Sequence, residues 1–73
     1  MVIPVQRVPG ILRLPQVRDR TGLSRSGIYK KMADGEFPQS ISLGLRARGW
    51  VDLAIEKWIQ DRIELSERQG AQS

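Results

Sequence analysis

The tetrapeptide Thr21-Gly22-Leu23-Ser24 limits what this chain can fold into more than any other stretch, because it can end one helix and begin another with no linker between them. Gly22 takes the left-handed conformation of a helix C-cap without the penalty a Cβ carries. Ser24 offers its hydroxyl to the free N–H groups of a helix starting at Arg25. Pro15 suits the first position of the preceding helix, where its missing N–H would have no partner anyway. The sequence thus predicts a first helix from Pro15 to Thr21 and a second from Arg25 to about Asp34-Gly35, with Leu23 plugging the turn. Two short helices joined so tightly have the spacing of a helix-turn-helix, whose second helix enters a DNA major groove.

The rest of the chain adds a hairpin and a third helix. From Phe37 to Trp50 the pattern alternates around Gly44, which reads as a β-hairpin with Arg46 and Arg48 at its tip. Ile41 and Leu43 alternate with Ser40 and Ser42, so the expectation is a buried apolar face and a wet polar one. Ile11 to Leu14 reads as a short edge strand. Asp52 is expected to cap the third helix, which should reach about Ser66. Val51, Ile55, Trp58, Ile59 and Ile63 recur at the spacing of one core-facing stripe. The expected fold is therefore mainly α with a small β-hairpin: a winged helix-turn-helix of three helices plus wing.

With 73 residues the chain has room for one core. Residues 1–10 read as an extended arm, since Pro4 and Pro9 stand among β-branched residues. Residues 11–66 form the domain. Residues 67–73 carry a single apolar side chain and are expected to be a flexible tail.

Charge points to a polyanion. The chain carries 12 Lys and Arg against 8 Asp and Glu, a formal +4. Residues 1–50 hold 9 basic and 3 acidic side chains, whereas residues 51–73 hold 3 and 5. Positive charge is therefore concentrated on the two short helices and the hairpin, the distribution of a nucleic-acid face. On the second helix, Ile28, Tyr29, Met32 and Ala33 share one side and Ser26, Gly27, Lys30 and Lys31 the other. The expected DNA contacts are Ser24, Arg25, Ser26, Tyr29, Lys30 and Lys31 from that helix and Arg46 and Arg48 from the hairpin. Arg18 and Arg20 are secondary candidates, because the first helix of this motif crosses the DNA backbone; their alternative is pairing with Asp19 and Glu36. Ser24 is equally a plain helix cap, Tyr29 a half-buried ring, and the hairpin arginines an edge-solubilising pair. Trp50 and Trp58 are assigned to the core.

What is missing is as informative. With no Cys and no His, the chain has no thiolate nucleophile, no zinc-finger ligand set and no side chain that titrates near neutrality. It is expected not to be an enzyme and to hold neither cofactor nor metal. Asp52 and Glu56 share a helix face but lack a third ligand. No apolar run is long enough to span a bilayer, so a cytoplasmic, nucleoid-associated location is expected.

The quoted residues also carry a resemblance. Arg13-Leu14-Pro15, Arg20-Thr21-Gly22-Leu23-Ser24-Arg25-Ser26, Ile28-Tyr29, Gly35, Phe37-Pro38, Leu43-Gly44, Arg46-Ala47, Gly49-Trp50 and Trp58-Ile59 together resemble the AlpA-type prophage regulators, over about residues 11–63. Those proteins are grouped with excisionase-like and MerR-like winged-helix DNA-binding proteins. The resemblance implies a small regulator of prophage or mobile-element genes that binds double-stranded DNA, with the second helix as recognition helix and the hairpin as wing. Gly27 departs from the pattern, where Thr or another side chain able to reach the groove is usual. Leu53 and Ala54 replace the Ser and acidic residue that often open the third helix. Two alternatives accompany this reading. One is an excisionase-like architectural factor that bends DNA or recruits an integrase or another DNA-bound protein. The other, of a different class, is a protein-interaction adaptor using the third helix. The sequence leaves the oligomeric state open.

Overall fold

The computed structural model describes residues 10–71, and the expected arm, residues 1–9, lies outside them. Six elements follow in order: β1 (Ile11–Leu12), α1 (Leu14–Thr21), α2 (Arg25–Ala33), β2 (Ile41–Gly44), β3 (Ala47–Val51) and α3 (Asp52–Ala71). Three helices and a small antiparallel sheet of order β1-β3-β2 make up the mainly helical fold that the sequence predicts.

The turn between α1 and α2 forms for the local reasons its residues supply. Gly22 caps α1 at φ 75°, and its N–H donates to Arg18 O. Thr21 Oγ1 donates to Val17 O at 2.8 Å and accepts from Leu23 N–H at 3.2 Å, so it bridges the end of α1 to the turn. Ser24 sits in an extended conformation and its Oγ accepts from Gly27 N–H at 3.1 Å, the expected cap of α2. Leu23 is half-buried against the core. α1 starts one residue before the expected Pro15, with Arg13 at the N-cap position and its N–H donating to Gln16 Oε1 at 2.8 Å.

The core draws on every layer: Val17 from α1, Ile28 from α2, Phe37 from the following loop, Trp50 from β3 and Ile55 from α3 are all buried. Both tryptophans belong to it, Trp50 fully and Trp58 in part. Trp50 Nε1 donates to Pro38 O at 3.1 Å and Trp58 Nε1 to Glu36 O at 2.8 Å, so the loop after α2 is held to β3 and α3. Phe37 meets Trp58 edge-on, with ring centroids 4.9 Å apart.

Four expectations are corrected. The hairpin alternates with period two, but its faces are inverted. Ile41 stands opposite Gly49 and Ser42 opposite Arg48, and Ile41 and Leu43 are 41% and 42% exposed. Gly49 lacks a side chain because Ile11 and Leu43 close over its Cα, on the face opposite Trp50. The apolar residues of β2 thus lie on the back of the sheet, while Ser40 and Ser42 share the Arg48 side. Secondly, only the middle of the α3 stripe reaches the core: Ile55 is buried and Trp58 and Ile59 are half-buried, whereas Val51 ends β3 and Ile63 projects beyond the core at 45% exposure. Thirdly, α3 begins at Asp52 itself and continues past Ser66 to Ala71, because Glu67, Arg68 and Gln69 are good helix formers and carry no stop signal before Gly70. The expected tail is therefore helical over most of its length; residues 72–73 lie outside the described part. Fourthly, Arg20 pairs with neither Asp19 nor Glu36. Its Nη1 lies 2.5 Å from Asp52 Oδ1 and its Nη2 3.9 Å from Glu56 Oε1, fastening α1 to the start of α3. Asp52 N–H donates to Gly10 O at 2.8 Å, extending the β1–β3 ladder by one bond.

Candidate nucleic-acid interface

The sides of α2 are set by which of its residues the core takes. With Ile28 buried and Met32 packed beside it, a rotation of about 100° per residue turns Ser26 and Lys30 directly outward, and both are exposed. Arg25 and Tyr29 fall on one flank, facing the hairpin. Lys31 falls on the other. It is half-buried and shares cavity walls with Trp58 and Arg62 of α3, next to Glu36, Asp61 and Glu64. The structure therefore separates Lys31 from Lys30, which the sequence reading placed on one face. The helix wheel alone could not tell where the buried arc was centred.

On the hairpin, Arg48 Nε donates to Ser40 Oγ at 2.8 Å and its Nη2 to Ser40 O at 3.2 Å. Two bonds to one residue orient the guanidinium on the face that carries Trp50, toward α2. Arg46 sits at the turn with φ 59°, the left-handed conformation that costs a side-chain-bearing residue about 1–2 kcal/mol relative to Gly.

Between these elements lies an open cleft of about 350 Å³. Tyr29 and Trp50 form its aromatic wall, their rings 6.4 Å apart and inclined at 61°. Tyr29 is 40% exposed, with the Arg25 guanidinium 5.6 Å from its centroid. Arg25, Arg46 and Arg48 line the cleft, and so does Arg13. Among the described residues no carboxylate borders it.

Of the expected contacts, the structure brings Arg25, Tyr29, Arg46 and Arg48 around one cleft and puts Ser26 and Lys30 on the adjoining exposed face. Ser24 is occupied as the cap, with Ser26 Oγ 3.5 Å from its hydroxyl. Arg18 is exposed on the outer side of the helix-turn-helix, near Asp19 and Ser24. Arg20 is committed to Asp52. Sequence reasoning missed Arg13. Its position follows from the pairing of Leu12 with Trp50, which carries the start of α1 to the wing, and nothing in a two-residue strand names its partner. Among the described residues no group of three His, Cys, Asp or Glu side chains could hold a metal ion. No helix among them is long and apolar enough to cross a membrane.

Comparison with known proteins gives this arrangement a context. A family model described as prophage CP4-57 regulatory protein (AlpA) matches residues 10–63. An uncharacterized protein of Enterobacteria phage P4, ORF88, is 39% identical over 67 residues, which cover 85% of this chain and 76% of that protein. The DNA-binding transcriptional activator AlpA of Escherichia coli K12 is 36% identical over 61 residues, covering 75% of this chain and 87% of the relative. No solved structure matches the chain.

Proposed function

The chain belongs to the AlpA family of prophage regulatory proteins, a family of regulators and not of enzymes, and on that premise we propose that it regulates transcription of prophage or mobile-element genes by binding duplex DNA. α2 lies in the major groove with Ser26 toward the bases, Lys30 reaching a phosphate at the edge of the groove, and Arg25 and Tyr29 along its flank. The β2–β3 hairpin reaches the flanking DNA through Arg46 and Arg48. Ser24 caps α2, which leaves the positive end of that helix aimed at the backbone. Arg18 is a peripheral backbone contact, and Lys31 is at most a lateral one. Arg20 is structural.

One observation carries this reading. Strand β2 turns Ser40 and Ser42 to the helix side beside Arg48 and Trp50 of β3, and Ile41 and Leu43 to the back. Were β2 there only to cover the core, Ile41 and Leu43 would replace the serines on that side, since burying what is still exposed of them would stabilise the domain by about 1 kcal/mol each. The polar side is instead continuous with the exposed face of α2. The name of the E. coli relative, a DNA-binding transcriptional activator, points the same way and favours activation over repression.

Selection from a random duplex pool at moderate salt tests it. Enrichment of one motif is the expected result, and the genomic position of that motif then separates promoter control from an excisionase-like role at an attachment site. Retention without enrichment would indicate a purely architectural binder. No retention at all would overturn the proposal in favour of a protein-interaction adaptor.

A further inference from the structure

We infer that the cleft between α2 and the wing seats one sugar-phosphate strand of the bound duplex, and that Arg13, at the start of α1, is its fourth cationic wall. The inference rests on the proposed reading. A major groove and the minor groove next to it are separated by a single backbone strand, so a protein with a helix in one and a hairpin on the other straddles that strand. In this chain the space to be straddled is the cleft of about 350 Å³, and Arg13, Arg25, Arg46 and Arg48 reach it from three separate elements and the wing turn with no carboxylate among them.

Two features leave the side chains of Arg13 and Arg46 available to a ligand, while Arg25 and Arg48 also pack against Tyr29 and Ser40. At the N-cap of α1 the Arg13 backbone N–H donates to Gln16 Oε1, and the guanidinium, which has no acceptor, takes no part in the cap. Arg46 occupies a left-handed conformation that Gly would fill more comfortably, and the side chain retained there borders the cleft. Guanidinium groups match phosphate oxygens in pairs and remain charged at any physiological pH. Arg48 is already oriented by its two bonds to Ser40, which reduces the freedom it loses on binding.

The test is equilibrium binding of the full chain to a short labelled duplex of random sequence across a salt series, since sequence-independent affinity reports phosphate contacts. The variants are Arg13→Gln, Arg46→Gly, Lys30→Gln and, as a control on the distant turns of α3, Arg68→Gln. Arg13→Gln and Arg46→Gly should each weaken binding about tenfold and lower the log–log salt slope by about 0.9. Arg68→Gln should leave the slope unchanged. Arg46→Gly should melt no lower than the parent, so a loss of binding there cannot be charged to unfolding. If Lys30→Gln weakens binding while Arg13→Gln and Arg46→Gly keep both affinity and slope, the cleft assignment is wrong and the major-groove reading survives. If the parent chain does not bind the duplex, or no variant changes binding, both fail.

Discussion

Arg20 Nη1 stands 2.5 Å from Asp52 Oδ1, joining the last turn of α1 to the first residue of α3 across 32 positions of sequence. The pair is mostly shielded, with side-chain exposures of 30% and 15%. A charge-assisted bond in that setting contributes about 1 kcal/mol. Arg20→Ala should therefore lower the melting temperature by about 4–8 °C while leaving duplex affinity at the parental value. Thermal denaturation followed by circular dichroism, with a binding titration alongside, checks both halves. A loss of affinity as large as that of Arg48→Ala would show that Arg20 reaches the DNA backbone after all.

Ser24 makes a second local prediction. Its hydroxyl accepts from Gly27 N–H, and removing it leaves that donor without its cap partner. Ser24→Ala should cost about 1 kcal/mol, and Ser24→Asp should restore most of the loss because a carboxylate also caps and faces the positive helix end. The aspartate variant should nonetheless bind DNA more weakly than the parent, since it puts a negative charge where the backbone is expected to pass. Equal affinity of the two would argue against a helix end directed at phosphate.

How far these features were legible in the sequence depended on how local their causes are. Gly22 and Ser24 fix the turn between α1 and α2 through their own backbone and side-chain preferences, and the structure follows the reading closely. The hairpin was readable as an alternation, but which face meets the helices is a tertiary choice. Ile41 and Leu43 went to the back because Gly49 leaves room there for Leu43 and Ile11. Lys31 was separated from Lys30 by the placement of α3 against that flank of α2, which no periodicity in α2 encodes. Arg13 escaped notice for the same reason, since it reaches the wing only through the pairing of β1 with β3.

Gly49 tests the packing on the back of the sheet. A Cβ there would collide with the Ile11 side chain, stand 3.0 Å from Leu12 O and 3.1 Å from Leu43 Cδ1. Backbone cannot yield as a flexible side-chain tip does, so Gly49→Ala should destabilise the domain by about 1–3 kcal/mol. Chemical denaturation measures this directly. The double variant Gly49→Ala, Leu43→Ala should recover only part of the loss, because the β1 contacts remain; full recovery would place the clash entirely on Leu43.

The sharpest functional contrast lies between adjacent lysines. Lys30 is exposed and points straight out of α2, whereas Lys31 is half-buried beside Trp58 and the α3 carboxylates Asp61 and Glu64. Lys30→Gln should lower the salt slope by about 0.9 and weaken binding to every duplex, with folding untouched. Lys31→Gln should change binding little. The slope of the parent follows from the same geometry: Arg13, Arg25, Lys30, Arg46 and Arg48 border the proposed DNA face, and five phosphate contacts give a slope of about −4.5, or a loss of about 500-fold between roughly 50 and 200 mM salt. A slope near −2 would mean that either the helix or the wing, but not both, meets the backbone. Because Lys30 lies on the helix and Arg48 on the wing, the variant that leaves such a slope unchanged identifies the element that stays off the DNA.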